Sequence, residues 1–178
     1  MTKISASEVE PAKLSLTALC DHIVQTHHVY LRAELPRLLG FLNKIAIKHG
    51  DKTRKLIHLR NVFAKFMVDM LEHMDNEEEY VFAAARKLDQ GIVASHDRGG
   101  HDPMHLMMEE HDEGAMALMK MRELSDNFTA PPDACETFKK VMADLARLER
   151  DVHEHVYKEN CILAFKAEEA ERRLLARA

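Results

Sequence analysis

The chain has 178 residues, 46% of them hydrophobic and 31% charged, with a formal net charge of −5. That length fits one domain with a sizeable core, and the acidic balance gives no reason to expect nucleic acid or an anionic membrane as partner. Six glycines and five prolines suit an all-helical chain, and no apolar run approaches the roughly 18 residues of a membrane span.

Residues 1–13 read as a disordered N-terminal tail. They hold no apolar stretch of the signal-peptide kind, so the expected location is the cytoplasm. Residues 14–178 read as a single all-α domain. Helix 1 is expected from about Leu14 to Lys48, with Leu16, Leu19, Ile23, Leu31, Leu35, Leu38 and Leu42 at helical spacing. Pro36 should kink or locally break it. Helix 2 is expected from about Lys52 to Leu88, with Leu56, Leu59, Phe63, Phe66, Met70 and Met74 as its apolar stripe. The segment DQGIVASHDRGGHDP reads as a loop, and Asp102-Pro103 as the N-cap and first residue of helix 3. Helix 3 runs to about Leu124, SDNFTAPP connects, and Pro131-Pro132 open helix 4. Helix 4 extends past Glu159 to about Leu175, with a charged end that frays or projects.

Across this frame lies a doubled pattern: His28, then His73-x₃-Glu77, then His111, then His155-x₃-Glu159. The lone histidine precedes its His-x₃-Glu by 45 residues in the first half and by 44 in the second. The midpoints between successive histidines fall between Gly50 and Asp51, at Ile92 beside Gly91, and at Asp133 after the two prolines. Each midpoint is a turn signal. An up-down-up-down antiparallel four-helix bundle would therefore place all four histidines in one layer. His and Glu at i, i+4 share a helix face about 6 Å apart along the axis. Helices 2 and 4 run the same way, so Glu77 and Glu159 are displaced to the same side of the histidine layer. Such a core is a known home for dinuclear metal sites.

Imidazole with carboxylate suits iron, whereas calcium or magnesium prefers an all-oxygen shell. Four histidines and two bridging glutamates fill about eight of the roughly twelve positions of two octahedral ions. An oxygen bridge fills about two more, which leaves about one exchangeable position per ion for a small molecule. A single His-x₃-Glu could be a surface ion pair; the doubling favours metal. Glu110, next to His111, is a candidate for a group hydrogen-bonded to a ligand or for a proton relay, against the plainer reading of a surface charge. Glu78, Glu79, Glu109 and Asp112 read as solvated helix face. The methionines read as core filler. Cys20, Cys135 and Cys161 form no CxxC pair and argue against a disulfide or structural-zinc framework; packing roles are expected for Cys135 and Cys161.

The stretches HHVYLRAELPRL, HMDNEEEYVF, MMEEHDEG, PPDACETF and DLARLERDVHEHVYKENCIL, spread over roughly residues 16–165, resemble the hemerythrin-like domains of the RIC (repair of iron centres) proteins. The resemblance implies a non-haem di-iron site with an oxo or hydroxo bridge. Its ligands would be His28, His73, Glu77, His111, His155 and Glu159. His28 rather than His27 has the family register, seven residues before the Leu of ELP. A role follows in nitrosative or oxidative stress, binding or reducing NO or reactive oxygen species, and in supplying iron to damaged iron–sulfur clusters. NO, O₂ or H₂O₂ would be the small ligand, and a redox protein or an iron–sulfur client the partner. Reductase-type turnover is left open, and the alternative is an oxygen- or iron-sensing module without turnover. The chain departs from the family in lacking an N-terminal cysteine pair ahead of the bundle, and in having Ala83 and Lys166 where Pro follows Leu-Phe. It departs from the oxygen-carrying hemerythrins at Ala115, where they place a further histidine, and at Asn160, where they place an aspartate.

Overall fold

The structure, a computed structural model, describes residues 10–50, 53–93 and 103–177, and for residues 103–106 the backbone alone. Four helical rods account for nearly all of it, and no strand occurs among the described residues. The first rod joins α1 (Leu16–Ile23) to α2 (Val29–His49) through a π turn, Val24–His28. The second joins α3 (Arg54–Asn76) to α4 (Phe82–Asp89) through a π turn, Glu77–Val81. The third is α5 (Pro103–Leu124). The fourth joins α6 (Glu136–Tyr157) to α7 (Ala164–Leu175) through a π turn, Lys158–Leu163.

The apolar residues form two separate blocks, and their order along each rod shows the antiparallel topology. The larger block includes Leu35, Leu42, Leu59, Phe63, Met121, Leu145 and Val152. The smaller includes Leu19, Ile23, Phe82, Met107 and Leu163. The first and third rods meet the small block, then a ligand-type histidine, then the large block; the second and fourth meet them in reverse. The fold is thus the up-down-up-down bundle expected, with a polar layer sandwiched between two apolar ones. Full burial of a Leu or Phe contributes about 1.5–3 kcal/mol, and the effective cost of burying an unpaired ion is several kcal/mol. The two blocks together can therefore carry a few buried charges between them.

Local chemistry explains the rod ends. Ser15 caps α1, its Oγ accepting from Ala18 N at 3.2 Å. Asp89, at the end of α4, closes the same N-terminus from across the bundle, accepting from Leu16 N at 3.3 Å and Thr17 N at 2.8 Å. Those bonds outweigh the effect of burial and hold its carboxyl below the ordinary range. The second rod stops at Gly91, whose φ of 78° suits glycine; Ile92 N donates to Lys87 O at 2.9 Å in a Schellman-type end. Between the third and fourth rods Asp126, Asn127 and Phe128 have φ of 47°, 59° and 55°. Such a backbone is costly for a bulky residue. It is held because Phe128 is buried in the large block and its N–H donates to Ser125 Oγ at 3.0 Å.

Several expectations shift. Pro36 lies inside α2 without ending it. Leu31, Leu35, Leu38 and Leu42 around it are all fully buried, and that packing outweighs one missing N–H. The irregularity of the first rod is the π turn ending at His28 instead. Pro131 and Pro132 occupy a turn, Ala134 N donating to Pro131 O at 3.0 Å, and α6 begins at Glu136 after an extended Cys135. Within the expected tail, Pro11–Lys13 form a 3₁₀ turn. Pro103 is the first residue of α5 as expected, while Asp102 and residues 94–101 of the loop lie outside the described residues.

Candidate metal centre

Each rod contributes to the polar layer at the point where the two apolar blocks meet. His28 ends the first π turn, Glu77 opens the second and Glu159 lies in the third. In each π turn the bonding widens by one residue: Val29 N donates to Val24 O, Phe82 N to Glu77 O and Ala164 N to Glu159 O. A π turn rotates the helix beyond it relative to the helix before it, and such turns gather at functional sites. Here they let a rod direct its ligand residues inward while both flanking α-helices still face the core. His111 comes from α5 and His73 and His155 from the last turns of α3 and α6.

All six residues singled out in the sequence converge. His28, Glu77, His155 and Glu159 form one group whose ligand atoms lie within 4.8 Å of one another; His73, Glu77, His111 and Glu159 form a second. The two glutamates belong to both. Glu77 turns Oε2 toward His28 Nε2 (3.4 Å) and His155 Nε2 (3.8 Å), and Oε1 toward His73 Nε2 (3.2 Å) and His111 Nε2 (3.8 Å). Glu159 turns Oε1 toward His155 Nε2 (2.7 Å) and His28 Nε2 (3.9 Å), and Oε2 toward His111 Nε2 (3.2 Å). All six side chains are at most 5% exposed.

The donor set fits a pair of cations. The carboxylate oxygens of Glu77 and Glu159 are all buried, and none has a well-aligned hydrogen bond among the described residues, although leaving a buried carboxylate unsatisfied is expensive. The Nε2 atoms of His28 and His155 are 3.0 Å apart, and those of His73 and His111 are 3.1 Å apart. Nitrogens at neighbouring corners of an octahedral ion, each roughly 2.1 Å from it, would lie about 3.0 Å apart.

The outward nitrogens are fixed by other residues. His28 Nδ1 donates to Glu78 Oε1 at 2.8 Å, His73 Nδ1 to Glu110 Oε2 at 2.7 Å, and His111 Nδ1 to Asn160 Oδ1 at 2.9 Å. A proton held on Nδ1 leaves the Nε2 lone pair facing inward. Glu78 is therefore not merely solvated helix face, as its run of acidic neighbours suggests; it also binds Arg32, which reaches Asp75. Asn160, conspicuous in the sequence only as a departure from oxygen carriers, fixes the His111 ring. The signal for both was present as their spacing, one residue from Glu77 and from Glu159.

In the metal-free chain, protons balance the two carboxylates. Burial pushes His28 down, but Glu159, Glu77 and Glu78 outweigh it and hold it at about 9. Burial likewise opposes the charge on His73, and Glu77, Glu110 and Glu159 raise it to about 10. Burial and Glu159 push Glu77 up, yet the histidines leave it below the ordinary carboxylate range. Glu159, also opposed by burial, is held well below that range by His155, His111 and His28.

His27 is buried but outside both groups. Its ring stacks on His155 with centroids 5.4 Å apart, Lys158 Nζ donates to its Nε2 at 2.7 Å, and Asp151 faces its Nδ1 at 3.1 Å. The cysteines are all free. Cys20 is buried in the small block, and burial pushes its thiol up to about 12. Cys135 is half-buried, and Cys161 is exposed rather than packed, because it lies on the outer side of its π turn.

The chain matches the hemerythrin HHE cation binding domain over residues 21–166. It is 31% identical over 163 residues to the iron-sulfur cluster repair protein DnrN of Neisseria gonorrhoeae, a match spanning 92% of this chain and 96% of that one. It is 33% identical over 150 residues to the iron-sulfur cluster repair protein ScdA of Staphylococcus haemolyticus, covering 84% of this chain and 66% of that protein. The corresponding figures for the iron-sulfur cluster repair protein YtfE of Escherichia coli O81 are 31% over 148 residues, 83% and 64%. The chain thus spans about two thirds of the length of the ScdA and YtfE relatives and nearly all of DnrN. With the six-residue layer and these matches together, the chain belongs to the hemerythrin HHE family, and the relatives it matches there are iron–sulfur cluster repair proteins.

Proposed function

We propose that the chain holds two iron ions, one between His28 and His155 and one between His73 and His111, with Glu77 and Glu159 bridging them. One observation carries this reading: each glutamate divides its two oxygens between the two histidine pairs. The mixed imidazole and carboxylate donors favour iron over calcium or magnesium. Each ion would take two nitrogens and two oxygens from protein, about four of six positions, which leaves room for a small ligand.

Bound iron supplies redox chemistry and a place for NO, O₂ or H₂O₂ to bind. The protein's own part is to exclude water with the two apolar blocks, offset charge with the two glutamates, and aim the imidazoles. Glu110 joins buried His73 to the surface, its side chain 44% exposed, and is the residue we assign to hold or pass a proton there. In the cell the protein would act in nitrosative and oxidative stress, reacting with NO or reactive oxygen species and supplying iron to damaged clusters of client proteins. The cytoplasm would be the place of that work, with a redox protein to restore the ferrous state. No helix among the described residues is long and apolar enough to cross a membrane.

The test is iron quantification on aerobically purified protein, followed by reduction and anaerobic titration with NO and, separately, O₂. The expected result is two irons per chain, tight NO binding, and oxidation by O₂ without reversible uptake. Reversible O₂ uptake with no response to NO would favour the sensing or carrier alternative. Iron-free protein that cannot be loaded would overturn both.

A further inference from the structure

The two metal positions look equivalent from their ligands, each with two histidines and two shared glutamates. They are not equivalent one bond further out. At the His73–His111 position both imidazoles donate from Nδ1 to an acceptor, Glu110 at 2.7 Å and Asn160 at 2.9 Å. No Lys or Arg among the described residues pairs with Glu110. At the other position His28 donates to Glu78 at 2.8 Å, but that carboxylate is shared with Arg32 Nη1 at 2.6 Å. The guanidinium draws charge away from the carboxylate and so from the imidazole behind it. His155 has no such acceptor among the described residues: its Nδ1 is buried and without a hydrogen bond there. The ring is held by packing, stacked on His27 at 5.4 Å and edge-on to His28 at 4.9 Å.

An acceptor behind a ligating histidine makes the ring a stronger donor and fixes its orientation, and losing one typically costs 10–100-fold in metal affinity. We infer that the unsupported Nδ1 of His155 and the Arg32-shared carboxylate behind His28 make the His28–His155 position the labile one, so that the ion leaving first is the one held there. The inference rests on the proposed two-metal reading and deepens it: iron donated to a client comes from one defined position, while the ion at His73–His111 stays behind. Glu110 and Asn160 are then positioning residues for the retained ion, and Glu78 for the released one.

The experiment uses the full chain loaded anaerobically with ⁵⁷Fe(II) and mixed with excess of a ferrous chelator, with release followed by absorbance and the retained iron by Mössbauer spectroscopy. Release is expected in two phases of equal amplitude, separated by on the order of tenfold in rate or more. Glu110→Gln should speed the slow phase by on the order of tenfold and leave the fast phase unchanged. Asn160→Asp, which puts a carboxylate behind His111, should slow the slow phase further. Glu78→Gln should speed only the fast phase. Release of both ions at one rate, or an effect of Glu110→Gln and Asn160→Asp on the fast phase, would overturn the inference while leaving the two-metal site intact. Loading of fewer than two irons per chain would instead overturn the reading beneath it. Circular dichroism and unfolding midpoints of each variant separate changed release from changed folding.

Discussion

The large apolar block and the ligand layer beside it are built by opposite rules. In the block Phe63, Leu35 and Leu145 are buried among other apolar side chains, and stability comes from area removed from water and dense packing. In the layer two buried carboxylates and four imidazoles crowd together, an arrangement that needs positive charge, from protons or from metal, to offset the carboxylates. The block specifies the bundle, and the layer is tolerated because of the bundle. Fold stability and metal binding should therefore respond to different substitutions.

The largest effect is expected from Phe63→Ala. It should destabilise the metal-free protein by about 3–5 kcal/mol in urea unfolding, while the folded fraction still loads iron to the same ratio. Loss of iron in folded Phe63→Ala protein would show that the two regions are not separable.

Next in size is the pH response of the layer. With ordinary imidazole values of 6.5, His28 at about 9 and His73 at about 10 stay protonated at neutral pH in the metal-free fold. Their protonation stabilises that fold fully below 6.5, and the contribution fades as pH rises through 9 and 10. Metal must displace the same protons, so iron should bind more tightly as pH is raised from 7 toward 9, with proton release measurable in weakly buffered solution. Affinity that is flat over that interval would contradict the charge balance described above.

Ser125→Ala should cost about 1–3 kcal/mol, because the hydroxyl holds both Phe128 N at 3.0 Å and Met121 O at 2.7 Å. Iron content should not change. His27→Ala should have the smallest effect on metal: it removes a stacking partner of His155 but no ligand. Complete loss of iron in that variant would mean that His27, rather than its neighbour, is the first ligand.

How much of this was legible beforehand divides along the same line. The four rods follow from apolar spacing and from turn residues at Gly50, Gly91 and Pro131, because burial of a stripe is a periodic property. The six layer residues follow from their doubling. What surrounds them does not. A π turn leaves no periodic trace in so short a run, so the widened turns at His28, Glu77 and Glu159 were invisible. Glu78 looked like any acid in an acidic stretch, because which face a residue takes beyond a π turn depends on that turn. The intrinsic effect of Pro36 on a helix predicts a kink or break, and packing by its leucine neighbours outweighs it.

We propose above all that Glu77 and Glu159 each serve both metal positions. It is tested most directly by anaerobic Fe(II) titration of the parent protein beside Glu77→Ala and Glu159→Ala, with bound iron counted after gel filtration. Two irons per chain in the parent, and a loss at both positions in either variant, is the predicted outcome. Unchanged iron content in both variants, or loss of a single ion with the other bound as tightly as before, would contradict it.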